Sequence, residues 1–189
     1  TLEAAGTRAF IVVDGTTTLI REFRLGETAT FTIPVASSST VVYRLFLEAA
    51  ATATARAGLF GLQIVGGPTS TVVFDESRGV GELAAGLTFA NPAAGTITLQ
   101  VRDAAFPAAL AQVGAVVTAG GRRLAAPQFG NGASSATAPA GTLTLWTSAR
   151  AGSQPGTFDA TVTSGGALGS PGAARLGGVS RAVSSTAAD

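Results

Sequence analysis

Apolar and polar positions alternate with a period of two along most of this chain, and β-branched and aromatic residues carry the alternation. Over Thr28–Val35, the residues Ala29, Phe31, Ile33 and Val35 fall on one face and Thr28, Thr30 and Thr32 on the other, the pattern of a half-buried strand. The same reading predicts strands over Arg8–Val13, Thr17–Phe23, Thr40–Leu47, Leu59–Val65, Thr69–Phe74, Leu87–Ala90, Gly95–Val101, Val113–Ala119, Gly141–Thr147 and Phe158–Ser164. Asp14-Gly15, Gly66-Gly67-Pro68, Asn91-Pro92, Gly120-Gly121 and Gly130-Asn131-Gly132 supply turns between them. Sustained helical periodicity is absent, and only the alanine-rich Glu48–Ala57 offers a short helix as the alternative to strand or loop. The expected fold class is all-β, an antiparallel β-sandwich of jelly-roll-like form.

An internal echo organises the second half. AGTITLQV at Ala94–Val101 matches AGTLTLWT at Ala140–Thr147, each entered through a proline, Pro92 or Pro139. Downstream of each lies a second match, VGAVVTAGG at Val113–Gly121 and FDATVTSGG at Phe158–Gly166, and FGLQIVGG at Phe60–Gly67 is a fainter third copy. Strand order and spacing both repeat, so a duplicated unit of about 45 residues is expected. The organisation that follows is an N-terminal strand segment over 1–26, a sandwich over 27–166 with repeat units near 94–121 and 140–166, and a Gly/Ala/Ser-rich tail over 167–189. Such a tail is flexible unless docked; Leu176, Val179 and Val183 are its anchors, on its own domain or on a neighbouring subunit.

With 189 residues, 46% of them apolar, the chain can bury a core, although alanine inflates that fraction and leaves Phe, Val, Leu, Ile and the single Trp146 to build it. Twelve basic residues, all arginine, face eleven acidic ones for a net charge of +1, and no like-charge run exceeds Arg122-Arg123. A nucleic-acid partner is not expected, because counterion release requires clustered cations. No stretch is apolar for long enough to predict a membrane-spanning helix, and Thr1–Ala4 has neither a basic nor an apolar signal region. The absence of cysteine fits an exported protein as easily as a cytosolic one, and low charge, abundant Thr, Ser and Gly and short strands favour a secreted or cell-surface protein, from which a signal peptide, if one existed, is already gone.

Histidine, cysteine, lysine and methionine do not occur. The general base of neutral pH, the thiolate nucleophile, the Schiff-base amine and the common transition-metal ligands go with them. A serine hydrolase lacks its base and its G-x-S-x-G elbow. Carboxylate chemistry remains formally open, but the acids are scattered over turns and strand ends, none sits in a D-T-G or D-S-G sequence, and Asp14-Gly15-Thr16 lacks that order. Calcium is the one metal for which the chain owns ligands, with Asp75-Glu76-Ser77 and the more distant Glu82 as the best cluster. No P-loop or dinucleotide fingerprint occurs. No catalytic residue, metal or cofactor is expected. Trp146 stands where the first echo has Gln100; with Leu143 and Leu145 facing the core it points outward, into a groove or an intersubunit contact, unless the sandwich edge buries it.

The segment Ala140–Val162, AGTLTLWTSARAGSQPGTFDATV, resembles the closing hairpin of bacterial pre-peptidase C-terminal type β-sandwich modules, in which A-G-T-Y-x-L-x-V precedes G-x-Y-x-L-x-V; here Leu143 and Phe158 replace the tyrosines. The resemblance implies a secreted, noncatalytic jelly-roll module. The leading functional expectation is a noncatalytic extracellular structural protein, a subunit of a pilus-like bacterial surface filament or sheath, assembling with identical subunits by strand exchange. The donor is Arg8–Val13, whose Phe10, Ile11, Val12 and Val13 would contribute several kcal/mol on docking at about 25 cal/mol per Å², or the tail with Leu176, Val179 and Val183. An accessory carbohydrate- or protein-binding module of a secreted system is the alternative, and a carboxylate-dependent hydrolase ranks third.

Overall fold

The structure, a computed structural model, describes residues 7–14, 19–24, 42–49, 57–66, 69–81 and 85–184. These residues form antiparallel strands and turns, with no helix among them, as the alternation predicts. The predicted strand Thr28–Val35 lies outside the described residues. Of Glu48–Ala57, Glu48 and Ala49 close one strand and Ala57 opens another, and the rest lies outside. The chain divides into two compact units, Thr1–Arg56 and Ala57–Asp189. The boundaries expected at 26 and 166 are replaced because the first strands pair with one that follows residue 26, and because the expected tail is itself part of a sheet.

In the first unit β1 (Thr7–Val13) lies between β2 (Leu19–Arg24) and β3 (Tyr43–Ala49). Ile11, opposite Arg21 and Leu45, is buried to 2% exposure. Asp14 closes the β1 end of the sheet by donating its N–H to the Val42 carbonyl (2.8 Å) and pairing with Arg44 (2.5 Å).

The second unit is built on two four-strand arrays. In the first, β6 (Ala85–Asn91), β12 (Gly141–Arg150), β8 (Gln112–Ala119) and β10 (Gln128–Phe129) lie in the order β6-β12-β8-β10, with β9 (Arg122–Arg123) also on β8. The second has the order β11-β7-β13-β14, from β11 (Gly132–Ala138), β7 (Gly95–Asp103), β13 (Gly156–Ser164) and β14 (Ala174–Val183). Ile97, Leu99 and Val101 of β7, Val113 and Val117 of β8, Leu143 and Leu145 of β12, and Phe158 and Val162 of β13 meet in one core. Each such side chain taken fully out of water contributes roughly 1.5–3 kcal/mol. The hairpin of β4 (Ala57–Gly66) and β5 (Thr71–Gly81) adds a further layer. β4 contacts β12, whose two edges are taken by β6 and β8 and whose inner face meets the core. The hairpin therefore lies along the outer face of the first sheet, where Val116 and Thr118 are each 1% exposed.

The echoed segments occupy corresponding places in the two sheets. β7 pairs with β13 so that Ile97 faces Ser164; β12 pairs with β8 so that Leu143 faces Ala119. Ile97 and Leu143 are the third residues of the two AGT-x-T segments' strands, and Ala119 and Ser164 stand at matching positions of the downstream pair. The edge strands agree as well: Asn91 faces Gly141 and Ala138 faces Gly95. Each echo thus contributes its strands crosswise, β7 to one sheet and β8 to the other, then β12 and β13 in the reverse sense. This also corrects the expected hairpin over Ala140–Val162, since its two strands enter different sheets and do not pair.

Candidate interaction surfaces

Asp14, Asp75 and Asp103 serve as structural fasteners. Asp75 sits at 8% side-chain exposure, pairs with Arg122 (3.4 Å) and accepts from Gln63 Nε2 (3.3 Å). Its neighbour Glu76 lies against Gly121, where a Cβ would clash with the carboxylate, and Ser77 donates its backbone N–H to the Gly121 carbonyl (2.9 Å). The Asp75-Glu76-Ser77 cluster is therefore drawn into the junction between β5 and the β8–β9 turn, and Glu82 lies outside the described residues. Among the described residues no three His, Cys, Asp or Glu side chains converge as a metal group.

Asp103 fastens a loop. Its carboxylate accepts from the backbone N–H groups of Ala105 (2.8 Å) and Leu110 (2.9 Å), the local capture that Asp makes of its own backbone. Thr157 donates its hydroxyl to the Phe106 carbonyl (2.8 Å), and Ala104 donates to the Thr157 carbonyl (2.9 Å). Leu110 packs on the core while Phe106 is left 72% exposed at the tip. Phe129, 43% exposed, lies over Gly114 of β8 at the same end, because Gly130 and Asn131 turn the chain there and Asn131 Oδ1 accepts from the Asp103 N–H (2.5 Å). A clamped loop on a rigid scaffold that presents an aromatic side chain to water is a candidate interaction surface. Phe106 and Phe129 were not singled out from sequence: Phe106 reads as one more phenylalanine until the bonds to Asp103 fix where it points.

The residues expected at an interface are dispersed. Ile11 and Val13 are buried and half-buried in the first unit; Phe10 stands opposite Glu22 and Phe46, and Val12 opposite Leu19 and Arg44. Since β1 is the central strand, both of its edges are occupied within the chain, which removes the free donor strand expected there. Trp146 is half-buried on the outer face of its sheet with its ring over Gly86, where a Cβ would lie 2.8 Å from the indole. Leu176, Val179 and Val183 belong to β14, the first two packed against the core and Val183 within it. The expected tail is an edge strand docked on its own sandwich.

Among the described residues β6, β11 and β14 each leave an edge of the sandwich sheets open, as do the short β9 and β10 beside β8 and both strands of the β4–β5 hairpin. No described helix is long and apolar enough to cross a membrane. No protein-family model matches the chain, and neither a curated protein nor a solved structure does.

Proposed function

We propose that this chain is a noncatalytic extracellular structural protein, a subunit of a self-assembling bacterial surface filament or sheath whose copies join through strands at their sheet edges. The observation that carries this reading is the set of open edges on a sandwich in which Asp75 and Asp103 fasten turns and loops. An unpaired row of backbone N–H and C=O groups is a template for another chain. Exchange would use β14, which lies at a sheet edge and brings Leu176, Val179 and Val183 to the core it completes. The matched registers of Ile97 with Ser164 and Leu143 with Ala119 support reading the echo as a duplicated unit, an economical source of a sandwich with similar edges on opposite sides. Light scattering of the purified chain together with electron microscopy tests the proposal: fibres or sheets are expected, and a monomer at every concentration overturns it.

A second reading, an accessory binding module, is favoured by Phe106 alone. It predicts that Phe106→Ala leaves thermal unfolding unchanged while abolishing capture of a carbohydrate or protein ligand that the parent chain retains. Loss of folding in that variant, or unchanged capture, counts against it.

A further inference from the structure

The open edges of β6, β11 and β14 are not equally guarded. β14 carries Arg175 and Arg181, contains the pair Gly177-Gly178, and faces a register irregularity between Val162 and Thr163. Charges and bulges of this kind discourage a further strand from adding. β6 is approached by both β14 and β5, and Pro92 follows it directly. β11 is also followed directly by a proline, Pro139, and is met by β10 at its Gly132 end, but it carries neither a charge nor a register irregularity. Its sequence, GASSATA, holds no charge, proline or bulky side chain, and its register with β7 runs unbroken from Gly132 opposite Val101 to Ala138 opposite Gly95. The residues on its outer face, Ala133, Ser135 and Thr137, are exposed.

We infer that β11 pairs antiparallel with β11 of a second copy of this chain, across a two-fold axis at Ser135. The occupant follows from the strand itself. An antiparallel pair centred on Ser135 sets Ser135 opposite Ser135, Ser134 opposite Ala136 and Ala133 opposite Thr137, so every facing pair is small and uncharged, and a two-fold contact requires such self-complementarity. A row of hydroxyls already runs toward the axis on the outer face: Thr163 stands opposite Thr98 and Thr98 opposite Ser135, with Thr98 Oγ1 and Ser135 Oγ in a 3.0 Å hydrogen bond. Pairing carries this row into the neighbour, and cross-strand Thr/Ser contacts are favourable. A net charge of +1 sets little long-range repulsion between copies. The product is an eight-stranded sheet made from two four-stranded ones. A seven-residue seam is small, so the contact is weak by itself and acts with others.

This inference rests on the self-assembly reading, and because a two-fold contact closes after two copies, a filament needs a second, different contact. The absence of cysteine makes the test direct. Ser135→Cys places two thiols opposite each other at the axis, within the reach of a disulfide between facing antiparallel residues. Ser180→Cys on β14, also exposed, is the control. Under mild oxidation the Ser135→Cys chain is expected to form covalent dimer about tenfold faster than the control, the effect of a raised local concentration, with unchanged circular dichroism. Equal rates overturn the β11 contact, and if the parent chain still forms large particles by light scattering, the self-assembly reading stands without it. Fast cross-linking of a chain that never grows beyond two copies supports the contact and overturns the filament. Slower cross-linking of Ser135→Cys when Ala133→Lys is added further supports the assignment, and indifference to that charge argues against it.

Discussion

The two sheets of the sandwich present the same inner face and opposite outer ones. Inward, Ile97, Leu99 and Val101 of β7 correspond to Leu143, Leu145 and Thr147 of β12, and all six are buried. Outward, the first sheet has Gly86, Trp146 and Val116 in one cross-strand row, whereas the matching row of the second is Ala133, Gln100 and Thr161. The apolar row lies on the face along which the β4–β5 hairpin runs. The polar row is covered by no added layer of described strands and is shielded by its own long side chains; Arg175 reaches across Gly178, where a Cβ would lie 2.6 Å from its guanidinium. One framework thus accommodates a three-layer and a two-layer solution, and the residue opposite each core position decides which. The sheet left polar on its outer face is also the sheet that ends in the charge-free β11.

The largest effect is expected in the shared core. Leu145→Ala, at a site with 0% exposure, should cost about 2–5 kcal/mol in urea unfolding. Leu99→Ala, its counterpart, should cost less because Leu99 borders a small void of about 10 Å³ and has fewer contacts to lose there. Equal losses would show that the two halves of the core are packed alike. On the outer faces, Val116→Thr should cost about 1–3 kcal/mol by placing a hydroxyl beneath the hairpin, while Thr161→Val should stay within about 0.5 kcal/mol. Similar values for the two would remove the distinction between the faces. Gly86→Ala should cost about 1–2 kcal/mol by driving a methyl into the Trp146 ring. Much of that loss should disappear in the Trp146→Gln background, which reproduces the alanine and glutamine of the other sheet; a double-mutant cycle with no coupling would separate the two positions.

The alternation made most strands of this sandwich legible, since β7, β8, β12 and β13 place β-branched or bulky residues on one face. It failed at β11 and β14 for different reasons. β11 has only Gly, Ala, Ser and Thr, so no hydrophobic contrast marks its faces, and its place is set by β7. In β14 the inward residues Leu176 and Val179 are three apart, an odd spacing that period-two reading rejects. The irregularity opposite Val162/Thr163 inserts an extra residue between Arg175 and Gly177, which turns both side chains toward the core. The candidate surfaces were less legible still. Exposure of Phe106 depends on hydrogen bonds accepted by the Asp103 carboxylate and one donated by Thr157, and edge status depends on strand order, neither of which is a local property of sequence.

The void beside Leu99 gives the comparison its finest test. At the corner formed by β6 and β14, Phe89 fills the space over Gly177, where a Cβ would meet its ring at 2.8 Å. The corresponding corner at β11 has Ala136 in place of Phe89 and Ser134 in place of Leu87, and Leu124, Ala125 and Ala126 close it incompletely. The Ser134 hydroxyl is buried there without a hydrogen-bond partner. Leaving such a group unsatisfied costs about 1–3 kcal/mol relative to its hydrated state, and a void of this size has room for about one water molecule. The surrounding side chains are almost all aliphatic and give that water few partners. Ser134→Ala should therefore raise the unfolding free energy by up to about 1 kcal/mol, measured by the urea midpoint at constant slope. A fall in stability would show that the hydroxyl holds a bridging water, and the β11 corner would then be a hydrated counterpart of the Phe89 corner instead of an underfilled one.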